Sequence, residues 1–528
     1  MTTAAQSAPS ASVSKNLLAI LLLALLIRLL TYNGPFGSDD LVYFERAAAL
    51  ARGEWASSNY NGALRYGFNL PAAGFIALFG PSMFVANLWP LLASIIEIGA
   101  VYLFASTAMN RRAGIFAALL LATTPLHIAV ATRIHADSVV SMFITLGFVL
   151  IYFGMLYRRP ALFFAAGLAI GGIFWTKELA AVTWLAFLPI IWFLRGQPKN
   201  WLQIAAGTLL MMVLHGLLMT VIAGDPFHLI KVVLSAVKHN FIEGGDGEDH
   251  PAYYLRYLFF DLRHVGLIAL LAVIASITQP HLIKTEFQLK TGYLFALVWL
   301  LGLLLVLSVF PVSLSPLRFT LKQSNYLTLF LAPIAILAGM AIAGIQQQWQ
   351  RPLLLISMAT GILLGIMQQA QYRSFTANSK SIAAFAIEHP GALIVGSTNN
   401  YRLSHYLAQT LSPEMPRAAT TSFRQISEGD KKALGQLHQA KSIFTVLDQQ
   451  TMNWVAGKTP VIKPLPCWQK MQILQPADLA ISNQLVNLAS PLIEKIKPLT
   501  TLLSQLGIPQ PATVYRIAGE DVFCEARR

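Results

Sequence analysis

Ser38-Asp39-Asp40 follows directly on an apolar run from Leu17 to Leu30. An acidic pair at the edge of such a run can do polar chemistry on a molecule held by a bilayer. One carboxylate, Asp39 first and Asp40 second, could take a proton or bind a cation. The plainer alternative is that the pair caps the helix-like stretch Leu41 to Arg52, because anionic side chains favour a helix N-terminus. Further polar groups interrupt the apolar sequence. Arg65-Tyr66 lies later in the same loop, close to Pro71. Arg133, His135 and Asp137 end another apolar run, either as an interfacial salt-bridge cluster or as the lining of a polar cavity. Lys177-Glu178 sits between two short runs. A charge left in hydrocarbon costs about 2.5–3.5 kcal/mol on insertion scales, so pairing or exposure to a cavity is expected there. A lysine at that height can meet a lipid phosphate. Arg318 and Lys322, just before Asn325-Tyr326, either make charge-assisted contacts to an anion or anchor the chain at an interface by snorkelling.

The elements that must position these groups are apolar spans. Apolar residues make up 55% of the 528-residue chain and charged residues only 12%. With mean hydropathy at +0.57, that is the composition of an integral membrane protein and not of a large soluble enzyme. The net charge of +14 is explained by basic loops, and no nucleic acid need be invoked. No secretory cleavage signal is evident before Lys15. Eleven runs approach the 17–25 residues needed to cross hydrocarbon, near 15–33, 83–106, 113–131, 138–156, 161–176, 179–195, 202–222, 262–279, 291–310, 325–345 and 352–369. The short loops that fall on one side hold ten basic residues (Lys15, Arg111, Arg112, Arg158, Arg159, Arg195, Lys199, Lys284, Lys290 and Arg351) against one acid, Glu286. That side is read as cytoplasmic. Every candidate polar group then falls on the other side. Phe68 to Gly80 is short and contains Pro71, so it reads as a re-entrant or interfacial segment.

After Gln369 the chain becomes mixed polar and apolar. Strand-like runs at 392–395, 442–447 and 513–517 alternate with helix-like stretches at 381–387 and 431–440, the pattern of a small α/β domain. An odd number of crossings puts that domain outside the cytoplasm, where Cys467 and Cys524 would be permitted to pair; two buried free thiols are the alternative. The expected organisation is a tail over 1–14, a membrane domain over 15–370 with its first outer loop at 31–67, and an outer domain over 371–528.

The whole pattern resembles the bacterial branch of the dolichyl-phosphate-mannose-protein mannosyltransferase family, which includes the aminoarabinose transferase acting on lipid A. That family opens its first outer loop with an Asp-Glu pair, a Tyr and then Gly-Asp-Trp, matched by Asp39-Asp40, Tyr43 and Gly53-Glu54-Trp55. Arg65-Tyr66 and Pro71 echo its later basic stretch, Arg133 and Asp137 its Arg-x-x-x-Asp element, and Trp175-Thr176-Lys177-Glu178 its Leu-Thr-Lys-Gly element. Asn325-Tyr326 and Pro333 stand where an Arg-Tyr and a Pro start a late span. Asp40 replaces a Glu, Glu178 a Gly and Asn325 a basic residue, which shifts the expected phosphate contacts towards Arg318 and Lys322.

The resemblance implies a GT-C-like polytopic α-helical membrane protein of about 11–13 transmembrane helices, in a bacterial inner membrane, with a periplasmic C-terminal α/β domain. It implies an inverting glycosyltransferase that moves a sugar from a polyprenyl-phosphate donor, undecaprenyl phosphate being the carrier in a bacterium, to a periplasmic protein, glycan or lipid. Asp39 and Asp40 are the expected catalytic carboxylates. The donor-binding set is Lys177, Arg318 and Lys322, with Arg65, Tyr66, Arg133, His135, Asp137, Glu178 and Tyr326 around them. A divalent cation is a candidate, although carboxylates alone do not show one. A transporter or flippase of a lipid-linked substrate is the main alternative; it would use a polar mid-membrane path between repeats, and no internal repeat is evident. A ligase of pre-assembled oligosaccharide and a membrane scaffold with a partner-binding outer domain are the others.

Overall fold

The computed structural model describes residues 15–192, 197–238, 248–278, 287–411, 414–448, 463–477, 509–517 and 522–524. The chain divides into two compact units, Met1–Tyr32 with Tyr43–Ile366 and Asn33–Val42 with Met367–Arg528.

Helices occupy every one of the eleven apolar runs. In chain order they are α1 (Lys15–Leu30), α2 (Asp39–Ala51), α3 (Tyr66–Phe79), α4 (Met83–Ala86), α5 (Leu88–Ala108), α6 (Arg111–Ala122), α7 (Pro125–Ala131), α8 (Ala136–Tyr157) and α9 (Pro160–Thr176). A 3-10 helix over Glu178–Trp192 follows, then α10 (Pro198–Ala223), α11 (His228–Val237), α12 (Tyr253–Phe259), α13 (Leu262–Val265), α14 (Ile268–Thr278), α15 (Phe287–Val309), α16 (Thr328–Gly344) and α17 (Gln347–Glu388). Among the described residues six helices are long and apolar enough to cross a membrane, and the pair α6–α7, bent by 62°, is either a seventh, broken span or a re-entrant loop. The protein is a multi-pass membrane protein. Helix is the expected form, because hydrocarbon offers no partner for an unpaired N–H or C=O. The segment expected to be re-entrant is α3, a short apolar helix that contains Pro71.

Local chemistry explains the bends and close approaches. Pro125 opens α7 and has no N–H with which to continue α6. Thr123 and Thr124 turn their hydroxyls back onto the carbonyls of Leu119 and Leu120 at 2.9 and 2.8 Å, so part of the broken ladder is satisfied. Helices α9 and α10 cross at Gly167 and Gly207, where an added Cβ would lie 2.1 Å from the Ile204 carbonyl or 2.4 Å from that of Phe164; small residues permit such crossings in membranes. Every residue of α16 from Thr328 to Ile342 is buried, which makes it the central helix of this unit.

In the second unit a five-stranded sheet has the order β4-β3-β5-β7-β6. The strands in that sheet are β3 (Ala392–Gly396), β4 (Ala419–Ser422), β5 (Ser442–Leu447), β6 (Trp468–Leu474) and β7 (Ala512–Ile517), while β1 (Pro311–Leu314) and β2 (Leu317–Phe319) form a hairpin in the first unit. Strands β3, β4 and β5 are parallel and linked through α18 (Thr398–Leu411), α19 (Phe423–Ser427) and α20 (Lys431–Gln439). Three strands were expected and five are present among the described residues. Polar Ala-Thr-Thr-Ser and the mostly exposed edge strand β6 carry little apolar pattern to betray them. Cys467 and Cys524 form a disulfide. Its separation of 57 residues corresponds to about 4 kcal/mol of unfolded-state restriction in the chain-entropy view.

Residues 33–42, expected to belong to the membrane domain's first outer loop, are part of this second unit. Asn33 donates to the carbonyl and side chain of Gln369 at 2.8 and 2.7 Å. Phe36 stacks on Phe375 with ring centroids 4.9 Å apart. Gly37 has φ +90°, and a Cβ there would meet Leu403 at 2.9 Å, so only glycine fits.

Candidate functional site

The candidate residues of the first unit converge where α9 unwinds. Thr176 closes α9 by turning its hydroxyl onto the Gly172 carbonyl at 2.8 Å. The chain is extended at Lys177 (φ −156°, ψ 99°) before the 3-10 helix starts at Glu178. Extension sends successive side chains to opposite sides, so these neighbours take different partners. Glu178 receives Arg65 in a two-pronged contact, Nε to Oε2 at 3.0 Å and NH2 to Oε1 at 2.9 Å, together with Asn61 Nδ2 at 2.6 Å. Arg65 also donates to the Tyr43 hydroxyl. Gly67 makes this reach feasible, since a Cβ there would lie 2.5 Å from Thr176 Oγ1.

Lys177 takes the other direction. Its ammonium donates to Asp137 Oδ1 at 2.7 Å and lies 4.2 Å from the Tyr326 ring centroid. Asp137, in the first turn of α8, also contacts His135 and accepts from Asn325 Nδ2 at 2.9 Å. Asn325, which stands where the resembling family has a base, is thus a carboxylate partner. Burial opposes the charge on both cations. Asp137 nevertheless holds Lys177 above its ordinary value, and Tyr43 with Glu178 hold Arg65 well above its own. Tyr66 is buried and receives Arg46 NH2 at 2.8 Å. Arg133 is half-buried, its Nε 3.4 Å from the Ala129 carbonyl.

Arg318 and Lys322 meet a separate acidic loop. Arg318 lies 3.6 Å from the Asp249 carboxylate, and Lys322 Nζ donates to the carbonyls of Asp249 and Thr320 at 3.0 and 2.9 Å. Burial pushes the Lys322 ammonium down to about 8, with Asp249 and Glu248 opposing. The expected donor-binding lysines therefore have different partners. A small apolar cavity of about 50 Å³ adjoins both groups. Leu179 and Ala180, just after Lys177-Glu178, line it with Leu307, Thr320, Leu321 and Tyr326. Tyr326 carries the Lys177 ammonium on its ring and Thr320 receives Lys322.

The acidic pair lies in the second unit, and the structure divides it. Asp40 is 6% exposed and accepts the backbone N–H groups of Phe36, Gly37 and Ser38 at 2.6, 3.3 and 2.7 Å. Those bonds shape the turn leading into α2, and both carboxylates stand in the first turn of that helix, the placement considered for the pair as a whole. Asp39, the first residue of α2, is exposed. Among the described residues no three His, Cys, Asp or Glu side chains gather to hold a metal ion. The sequence reading passed over Arg28, Glu97 and His127, which are buried together within the helices. Each stands singly in an apolar run, and that isolation is the available signal, because a lone ionisable group in a span needs a partner on another span.

Residues 67–222 match the family model of dolichyl-phosphate-mannose-protein mannosyltransferases. By sequence alone, no curated protein matches the chain. Among solved structures, ArnT from Cupriavidus metallidurans bound to undecaprenyl phosphate shares 14% identity over 94% of this chain and 97% of its own, with a TM-score of 0.54. The apo form of that ArnT gives 16% identity, 85% and 96% coverage and a TM-score of 0.52. The Archaeoglobus fulgidus oligosaccharyltransferase in complex with Zn and sulfate gives 12% identity, 88% and 72% coverage and a TM-score of 0.54. These likenesses establish the fold: a polytopic GT-C-like helical membrane protein with a sheet-containing C-terminal region.

Proposed function

We propose that this protein is an inverting glycosyltransferase that takes a sugar from a polyprenyl-phosphate donor on the periplasmic side of a bacterial inner membrane. The acceptor is a hydroxyl or amine on a protein, glycan or lipid. The observation that carries the reading is the junction of a lysine-centred polar cluster with an apolar cavity, both of which use Tyr326. A lipid phosphate has that duality, an anionic head on an apolar chain. The undecaprenyl phosphate bound by one fold relative and the family match over 67–222 point the same way.

In the proposed reaction the acceptor oxygen or nitrogen attacks C1 of the sugar as the bond from C1 to the phosphate oxygen breaks. The acceptor proton passes to the Asp39 carboxylate, and polyprenyl phosphate leaves with the bonding electron pair. Phosphate is a good leaving group, so one base suffices without a general acid. Lys177 meets the phosphate; Asp137, with His135 and Asn325, aims that ammonium, and Glu178 does the same for Arg65. Preorganised donors of this kind stabilise charge as it develops on a leaving group. Asp40 is assigned to the turn that presents Asp39.

Full-length protein in lipid nanodiscs, supplied with a short-chain polyprenyl-phosphate sugar and a membrane extract as acceptor source, tests the assignment. Asp39→Asn should lower release of free polyprenyl phosphate by about 100-fold or more while donor binding persists. Near-normal release would reject Asp39 as the base. Leaflet-to-leaflet movement of labelled donor without release would establish the transporter instead.

A further inference from the structure

Three ionisable side chains deep in the first unit take no part in the chemistry above. Arg28 of α1, Glu97 of α5 and His127 of α7 are each at most 1% exposed. Arg28 donates through Nε to Ser94 Oγ at 3.0 Å and through NH1 to the carbonyls of Ala24 and Ala122 at 3.0 and 3.2 Å. Ala122 ends α6, so its carbonyl is one that the α6–α7 break sets free. The NH2 group of Arg28 lies 2.6 Å from His127 Nδ1. A guanidinium offers only donors, so Nδ1 must accept, and the imidazole proton resides on Nε2. That nitrogen lies 3.2 Å from Glu97 Oε2. The result is a guanidinium and a carboxylate joined through one neutral imidazole. The other carboxylate oxygen, Oε1, receives the hydroxyls of Ser141 at 2.7 Å and Thr145 at 2.9 Å, both on α8. Ser141 is also 3.1 Å from the Thr328 carbonyl at the start of α16.

What this relay holds is the turn that presents Asp137. His127 ties α7 to Glu97, and Ser141 with Thr145 tie α8 to the same carboxylate. Asp137, Ser141 and Thr145 recur every four residues along α8 and so share one helix face. Asn325, the amide partner of Asp137, stands three residues before Thr328. Rotation or sliding of α8 would break the hydroxyl contacts and displace Asp137 together.

We propose that the Arg28–His127–Glu97 relay is a positioning device that fixes α8 so that Asp137 meets the Lys177 ammonium. Only its consequence for donor binding rests on the glycosyltransferase reading. The variant Ser141→Ala/Thr145→Val detaches α8 while leaving all three ionisable groups in place. In nanodiscs it should weaken binding of a short-chain polyprenyl phosphate about tenfold, but by less than about twofold in a Lys177→Ala background, since coupled residues are non-additive. The drops in Tm caused by the detached variant and by Asp137→Asn should likewise fail to add. Glu97→Gln can aim its amide oxygen at His127 Nε2–H and its nitrogen at the two hydroxyls, and should keep donor affinity within about threefold of wild type, whereas a role of charge alone would be lost. Additive Tm shifts would overturn the proposal. If Lys177→Ala leaves binding unchanged, the phosphate assignment fails and the Tm cycle still decides the positioning role. Should the double variant fail to insert, the nearly isosteric Thr145→Val carries the same test with a smaller shift.

Discussion

The cluster at the end of α9 and the relay inside the bundle are built from the same residue types, yet they differ in what surrounds them. Around Arg28, Glu97 and His127 every identified partner is a buried side chain or helix carbonyl. Around Lys177 and Asp137 the partners come from helix ends and a 3-10 turn. His135, Asn325 and Tyr326 are only half-buried, and an apolar cavity lies alongside. A sealed network has nothing to exchange with and can only hold helices in place. A network at a helix end can trade an internal partner for a ligand at low cost.

The sharpest way to break this comparison is to remove one member from each region. Arg28→Ala strands a fully buried carboxylate and frees a helix carbonyl, so it should destabilise the bundle by about 3–5 kcal/mol, read as loss of folded protein on heating in detergent. Lys177→Ala leaves Asp137 with His135 and Asn325, so its stability loss should be much smaller, about 1 kcal/mol. Its main effect should be on donor affinity, a loss of about 10-fold to 30-fold read by calorimetry with a short-chain polyprenyl phosphate. Equal stability losses for the two variants would erase the distinction between a sealed and an exchangeable network.

A smaller effect concerns Lys322, whose buried ammonium titrates at about 8. Between that value and its ordinary one the unfolded chain holds the proton that the folded chain has released. This group therefore makes stability rise with pH across that window, while any binding that uses its charge fades. Donor affinity should fall a few-fold, about threefold, from pH 7 to pH 9, and Lys322→Arg should flatten the profile because arginine stays charged. An unchanged profile in both proteins would remove Lys322 from the donor site and leave it as a loop anchor.

The acidic pair makes a second contrast at the scale of two residues. Asp40 spends its carboxylate on three backbone N–H groups, and Asp39 is exposed at the start of α2. Their turn belongs with residues 367–528. Removing the region after about residue 375 would therefore take away Leu403, against which Gly37 of that turn packs. Such a truncation cannot separate a role in acceptor recognition from loss of Asp39 placement.

Much of this was legible in the chain. The apolar runs marked the helices, the β-branched runs at 392, 442 and 513 marked three strands, and Lys177-Glu178, Arg133 and Asp137 announced themselves as charges beside spans. Membrane spans declare themselves because the hydrophobic requirement is local and continuous, so residue order alone meets or fails it. Pairing is different. Arg28 finds His127 across 99 positions, and Glu178 finds Arg65 across 113. Strands β4 and β6 form because a sheet offers them an edge, not because their own composition demands it. Sequence by itself therefore determined that charges stand at helix ends and within helices. Tertiary structure alone decided which were sealed and which were left beside a cavity, because the cost of a buried charge depends on partners that only folding brings within hydrogen-bonding distance.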